Sequence, residues 1–453
     1  MSRIVQFQRG LKSRHVSLIA LGGIIGSSYF LGTGYILNQV GPFVFLAYAL
    51  GGLITYLTMA CLTELCVAIP GTGSFISYAR HFVSPTWACG VGWSYWVSWV
   101  VYIPSECLAA GILMHNFMPH IPIYVWAVLF GIVITLVNLI NVKAFGEMEF
   151  WLALIKICLL IGFSVLAVLI FFDFIGNQRD VFIGDKYLMN NGNPFPNGFA
   201  IFFINMVVLL SNYQGSEIIG LSASEAQNPK KAIPAALKKI VYRIVGFYLI
   251  PTFLLALIFP WEKANLAGSV FSDALASYGL TRVAQAFSFL IIAGALSCAN
   301  SGLYATVRSL HALATKEMAP KWLAELNKQG VPVKATLVTL AAIWMMLIIS
   351  YFFSAHSLYA NLLAISGFTG SICWISICWS QLRFRHSLTE KIKTYKIPFF
   401  PYLTHFAIWL QIGCLLIVAL SPELRDSLYF GVPMLILPML LYHHFIARRK
   451  SIR

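Results

Sequence analysis

The sequence predicts an all-α, polytopic membrane protein with twelve transmembrane helices, on three observations. Hydrophobic residues make up 59% of the 453-residue chain and charged residues only 10%, a balance found in chains that bury themselves in lipid. Apolar runs of about 20 residues, the length a helix needs to cross the hydrocarbon layer, recur with centres near residues 27, 55, 100, 132, 161, 210, 250, 297, 343, 368, 410 and 437. The formal charge of +15 is distributed unevenly. With the first helix starting inside and each later span reversing direction, Arg80, Lys143, the group from Lys230 to Arg243, Lys316 to Lys334, Arg383 to Lys396 and Arg448 to Arg453 share one face. Only Arg179, Lys186, Lys263, Arg282 and Arg425 fall on the other. That asymmetry is the positive-inside bias; it places both termini in the cytoplasm and explains the basic charge without a nucleic-acid partner.

The composition excludes other classes. Arg3, Arg9, Lys12 and Arg14 precede a span too long for a signal-peptide core, so a retained first helix is expected. The nine cysteines are scattered through apolar runs without CxxC pairs or histidines at ligand spacing, so buried thiols are expected and no metal or cofactor. No Ser-His-Asp or metal constellation has a plausible context, and the chain does not read as an enzyme. Residues 1–453 read as one transmembrane domain.

The first span, Leu18 to Leu37, is interrupted where a plain helix would be most apolar, by Gly22, Gly23, Gly26, Ser27 and Ser28. Unpaired backbone at that depth survives where it lines a site. Half-helix ends offer N–H groups to an anion and carbonyls to a cation, as in discontinuous transporter spans that hold a zwitterion. Gly26, Ser27 and Ser28 therefore read as a carboxylate cradle, the alternative being close helix packing through small residues. The second span, Phe43 to Ile69, ends at Pro70 to Gly73 and leads into a short amphipathic stretch, Ser74 to His81, expected at the inner surface. The run GTGSF lacks the lysine of a phosphate loop and reads as a turn with a helix cap.

The third span carries Trp93, Tyr95, Trp96, Trp99, Tyr102 and, deep in the apolar run, Glu106. A carboxylate at that depth needs a partner or a proton. The fifth span holds Lys156, the one lysine or arginine placed in a hydrophobic centre apart from Arg308, which can snorkel inward. Its ammonium is either a structural tether to carbonyls of a broken helix or a proton-coupling group. In the sixth span the Gly-Ser pair returns at Gly215 and Ser216, after Ser211 to Gln214 and before Glu217. Each pair lies in the first span of a five-span block, as an inverted repeat of spans one to five (about 16–173) and six to ten (about 198–380) requires. Glu217 reads equally as a titrating group or a cap, and Glu225 as a cap or gate contact. Ser297, Asn300, Ser301 and Gly302 in span eight, and Ser366, Gly367 and Gly370 in span ten, suit either the site or close packing. Spans eleven and twelve, about 400–447, lack intramembrane charge and are left for lipid or homodimer contacts.

The runs GLKSRHVSLIALGGIIGSSYFLGTG, GPFVFLAYALGGL, GSFISYAR, NVKAFGEMEFWLALIK, GSEIIGLSASEAQNP and NSGLYATVRSLHALA resemble, in order and spacing across nearly the whole chain, the bacterial amino acid permeases of the amino acid-polyamine-organocation superfamily. The resemblance implies a leucine-transporter-like fold with broken helices one and six, located in the bacterial inner membrane. It also implies alternating access with an amino acid as substrate and protons as coupling ions, the alternatives being an amino acid exchanger with Lys156 as a fixed structural charge, or a sensor that binds amino acids without transport. By matched motif, Gly26, Ser27 and Ser28 stand at the carboxylate motif, although Ser28 departs from its usual last glycine. The carbonyls of Ile24, Ser211 and Gln214 stand where relatives receive the ammonium group. Lys156 matches a fifth-helix lysine that replaces a sodium ion in proton-coupled relatives, and Glu217 a sixth-helix glutamate implicated in pH sensing. Glu106 resembles the third-helix glutamate of aromatic and proline permeases, whereas Tyr213 to Glu217 resembles the lysine permeases, which leaves the side-chain preference open.

Overall fold

The computed structural model describes residues 25–69, 75–140, 145–176, 193–218, 229–327, 330–387 and 395–447. Among them, eight helices are long and apolar enough to cross a membrane. They are Val44–Ala68 (second span), Pro85–Phe117 (third), Trp151–Phe171 (fifth), Lys239–Ile258 (seventh), Thr281–Thr315 (eighth), Ala355–Ser387 (tenth), Tyr402–Leu420 (eleventh) and Asp426–Ile446 (twelfth). Shorter apolar helices at Ile123–Asn138, Phe199–Ser211 and Val333–Ile349 stand at the fourth, sixth and ninth positions. The first position holds a pair, Ser27–Phe30 and Gly32–Val40. The architecture is helical throughout, because in lipid each backbone N–H and C=O must be satisfied within its own segment.

The third span is the axis of the bundle. Its most apolar window is 94% buried against 11% for the twelfth span, so the former sits inside the protein and the latter at its rim. The third span packs most extensively on the eighth and tenth, and small residues allow the close approach. Gly302 of the eighth span leaves room for the Trp99 ring of the third, where a Cβ would lie 2.5 Å from Cε3. Gly367 of the tenth lies directly on the Val207 carbonyl of the sixth. Ser84 starts the third span by accepting the Trp87 N–H at 3.1 Å, and Pro85, which has no N–H to orphan, follows it.

The stretch expected at the inner surface is more deeply placed than its amphipathic pattern suggests. Phe75, Ile76, Tyr78 and Ala79 are all buried, with Phe75 edge-on to Tyr95 of the third span and Phe82 edge-on to Phe384 of the tenth. The GTGSF turn before it lies mostly outside the described residues. Eight of the nine cysteines are buried, whereas Cys158 is exposed on the fifth span.

Candidate functional site

The first span breaks at Gly26, whose backbone is extended (φ −102°, ψ −172°) before the helix restarts at Ser27. Its missing side chain is required by the third span: a Cβ there would fall on Glu106 Oε1 and within 2.5 Å of Tyr102 Oη. Glu106 and Tyr102, one helical turn apart, thus grip the break from one face. The Ser27 N–H donates to Glu106 Oε2 at 2.8 Å, and the Ser28 hydroxyl lies 2.7 Å from Tyr102 Oη. Ser27, Ser28 and Glu106 are each 0% exposed. A carboxylate therefore does sit on the first free amide of the cradle, and it belongs to the protein.

The sixth span unwinds after Ser211. Residues 212–217 form successive turns, and Gly215 takes a left-handed backbone (φ +91°) open chiefly to glycine. Both carboxylate oxygens of Glu217 accept the Gly215 N–H, at 3.0 and 3.1 Å, and the Trp374 indole N–H of the tenth span donates to Oε2 at 3.1 Å. Glu217 thus caps the break. Gln214 is tied to the tenth span, its Nε2 donating to the Ser366 carbonyl at 2.7 Å and its Oε1 accepting from the Ser98 and Ser366 hydroxyls at 3.0 and 2.8 Å. Its side chain is thus held by the third and tenth spans, and among the described residues its backbone carbonyl accepts no hydrogen bond that would keep it from a ligand's ammonium. The Ser211 carbonyl accepts the Gln214 N–H at 3.3 Å, while the Ser211 hydroxyl turns back to the Val208 carbonyl.

Tyrosines join the two breaks. Tyr48 Oη of the second span accepts from Asn212 Nδ2 at 2.7 Å and lies 2.6 Å from Thr33 Oγ1, while Tyr248 of the seventh donates to the Asn212 carbonyl at 2.9 Å. Glu106 Oε1, Ser27 Oγ, Asn212 Oδ1 and Tyr359 Oη are buried without a hydrogen-bond partner among the described residues. Groups of this kind can bind water, an ion or a polar ligand.

Lys156 is 0% exposed. Its stem runs along Gly294 of the eighth span, where a Cβ would stand 3.5 Å from Cγ and Cε. Ile24 and Glu225 lie outside the described residues. A further buried cation stands near the start of the seventh span. Arg243, counted by sequence with the cytoplasmic cluster, is 1% exposed within the seventh span and donates from Nη2 to Ser216 Oγ at 2.6 Å. Charge counting treats a span end as a boundary and so leaves it outside, although about four turns of the same span follow it. Tyr102, Asn212, Tyr359 and Trp374 also meet the two breaks; only helical phase distinguishes them from packing residues.

Against this geometry, the family model for amino acid permeases matches residues 15–451. The amino-acid permease RocE of Bacillus subtilis is 38% identical over 98% of this chain and 97% of its own length. The lysine-specific permease LysP of Lactococcus lactis is 33% identical over 94% of this chain and 85% of its own. The aromatic amino acid transport protein AroP of Escherichia coli O6:H1 is 34% identical over 94% of this chain and 92% of its own.

Proposed function

We propose a transport mechanism from the premise that this chain belongs to the amino acid permease family of the amino acid-polyamine-organocation superfamily: it imports an L-amino acid with protons by alternating access. It is a multi-pass membrane transporter rather than an enzyme. The observation that carries the proposal is the pair of breaks in spans one and six, buried together between the third and tenth spans.

An entering zwitterion presents its carboxylate to the Ser27 amide and the Ser28 hydroxyl. Glu106 already holds that amide, so the substrate exchanges with an internal carboxylate, and two carboxylates do not share one site without a proton. The ammonium group meets the carbonyls of Ile24, Ser211 and Gln214 in the orientation Gly215 permits. Lys156 and Glu217 are the proton-coupling groups: a buried ammonium and a carboxylate that caps the sixth-span break each gain or lose a charge at a cost set by which face is open. The side chain of the substrate lies toward spans three, six, eight and ten. The protein resides in the bacterial inner membrane with both termini cytoplasmic, and spans eleven and twelve carry its lipid or homodimer contacts.

The test is uptake of a panel of labelled amino acids into empty proteoliposomes under an inward proton gradient. Accumulation that collapses with an ionophore is the expected result, and Lys156→Ala should abolish accumulation while retaining exchange. Uptake only into vesicles preloaded with amino acid would replace symport by exchange and leave Lys156 a structural charge.

A further inference from the structure

The seventh span changes winding at Arg243. The helix Pro229–Arg243 passes into a π-helical turn, Ile244–Leu249, before resuming at Ile250. Such turns rotate the residues beside them off the regular helical face and occur often at functional sites. Arg243 stands just before the turn and Tyr248 within it, and both reach the sixth-span break: Arg243 donates to Ser216 Oγ at 2.6 Å and Tyr248 to the Asn212 carbonyl at 2.9 Å. Ser216 Oγ passes the contact on by donating to the Tyr213 carbonyl at 2.7 Å. Gly52 of the second span leaves space for Ile244, the first residue of the π turn.

We propose that Arg243 is a positioning residue for transport: its hydrogen bond to Ser216 holds the sixth-span break in the substrate-binding conformation, and its charge sets the pH at which Glu217 exchanges a proton. The second part rests on the coupling role proposed for Glu217; the first needs only the binding site. The guanidinium hydrogen-bonds Ser216, the residue immediately before Glu217 in the unwound segment. Among the described residues, the other titratable side chains around that carboxylate are Tyr95 of the third span and Cys373 of the tenth, and Trp374 donates to it. Arg243 therefore supplies the positive charge among these neighbours, and an adjacent cation favours the ionised carboxylate. Because one side chain serves the backbone through Ser216 and the proton through its charge, its two effects separate by substitution.

The experiment is proteoliposome uptake between pH 5 and 8, using whichever labelled amino acid the wild type accumulates, on Arg243→Gln, Arg243→Lys and Ser216→Ala. Arg243→Gln should move the pH midpoint upward by about one unit, because the carboxylate keeps its proton to higher pH without the cation. Arg243→Lys keeps the charge but not the fork geometry. It should retain the wild-type midpoint while KM rises three- to tenfold, as should KM in Ser216→Ala. A wild-type midpoint in Arg243→Gln overturns the electrostatic role, and wild-type KM values in both other variants overturn the positioning role. Should Arg243→Gln fail to elute as a monodisperse protein, the other two still decide the positioning role, unchanged KM in both rejecting it and raised KM upholding it, and Arg243→Met takes the place of Arg243→Gln for the midpoint. A wild type that transports no amino acid overturns the transport reading itself, a result distinct from variants indistinguishable from an active wild type.

Discussion

At the scale of single residues, the site depends on atoms that are missing as much as on those present. Gly26 has no side chain because Glu106 Oε1 and Tyr102 Oη occupy its place. Gly26→Ala should therefore lower uptake kcat/KM at least tenfold while the protein remains folded. Near-normal uptake would show that Glu106 can withdraw freely and does not define the cradle. Lys316 gives a pH prediction away from the site. Just beyond the eighth span, its ammonium donates to Ser77 Oγ; partial burial, and secondarily Arg80, push it down from 10.5 to about 8. The folded protein thus holds this proton less tightly than the unfolded chain. The stability Lys316 contributes is complete above 10.5 and is lost as the pH falls through about 8. Thermal unfolding of the wild type should rise in midpoint between pH 8 and 10, and Lys316→Met should flatten that rise; an identical slope would assign it to other groups.

At the scale of elements, the tenth span clamps the broken sixth. Gly367 lies on the Val207 carbonyl, Gly370 beside the Gln214 amide, and the Ser366 carbonyl accepts from both Gln214 and Ser98. A Cβ at Gly367 meets backbone rather than a side chain that can rotate away, so Gly367→Ala must displace one helix. Overpacking of this kind costs about 1–3 kcal/mol. The variant should unfold several degrees earlier in detergent, and substrate affinity should fall with it, because the sixth-span break rests on the same contact. Unaltered stability would mean that the tenth span is free to move away, as a gate rather than a clamp.

At the scale of the whole molecule, the C-terminal ends of the second and tenth spans are joined by a charge pair. Glu64 is fully buried and Arg385 nearly so; Arg385 Nη2 donates to Glu64 Oε2 at 3.0 Å, Nε donates to Oε1, and the Ile397 N–H completes the carboxylate at 2.9 Å. Removing one partner strands a buried charge, at about 3–5 kcal/mol. Arg385→Met should lower the unfolding temperature sharply, and Glu64→Gln combined with Arg385→Met should recover much of the loss; equal losses would show that the pair acts through packing alone. Membrane class, the order of the spans, the two interruptions and the burial of Lys156 and Glu106 are legible in the amino-acid order alone. These follow from bilayer thickness and from the cost of charge or unpaired backbone in an apolar run, both of which act locally along the chain. Only the tertiary structure decided that Glu106 meets Ser27, 79 positions away, that the Gln214 side chain is spent on Ser98 and Ser366, and that Arg243 enters the bundle to reach Ser216. Contacts of that kind depend on helical phase and on where a π turn resets it. A shift of one position turns a side chain by about 100°, and composition and spacing do not record the difference.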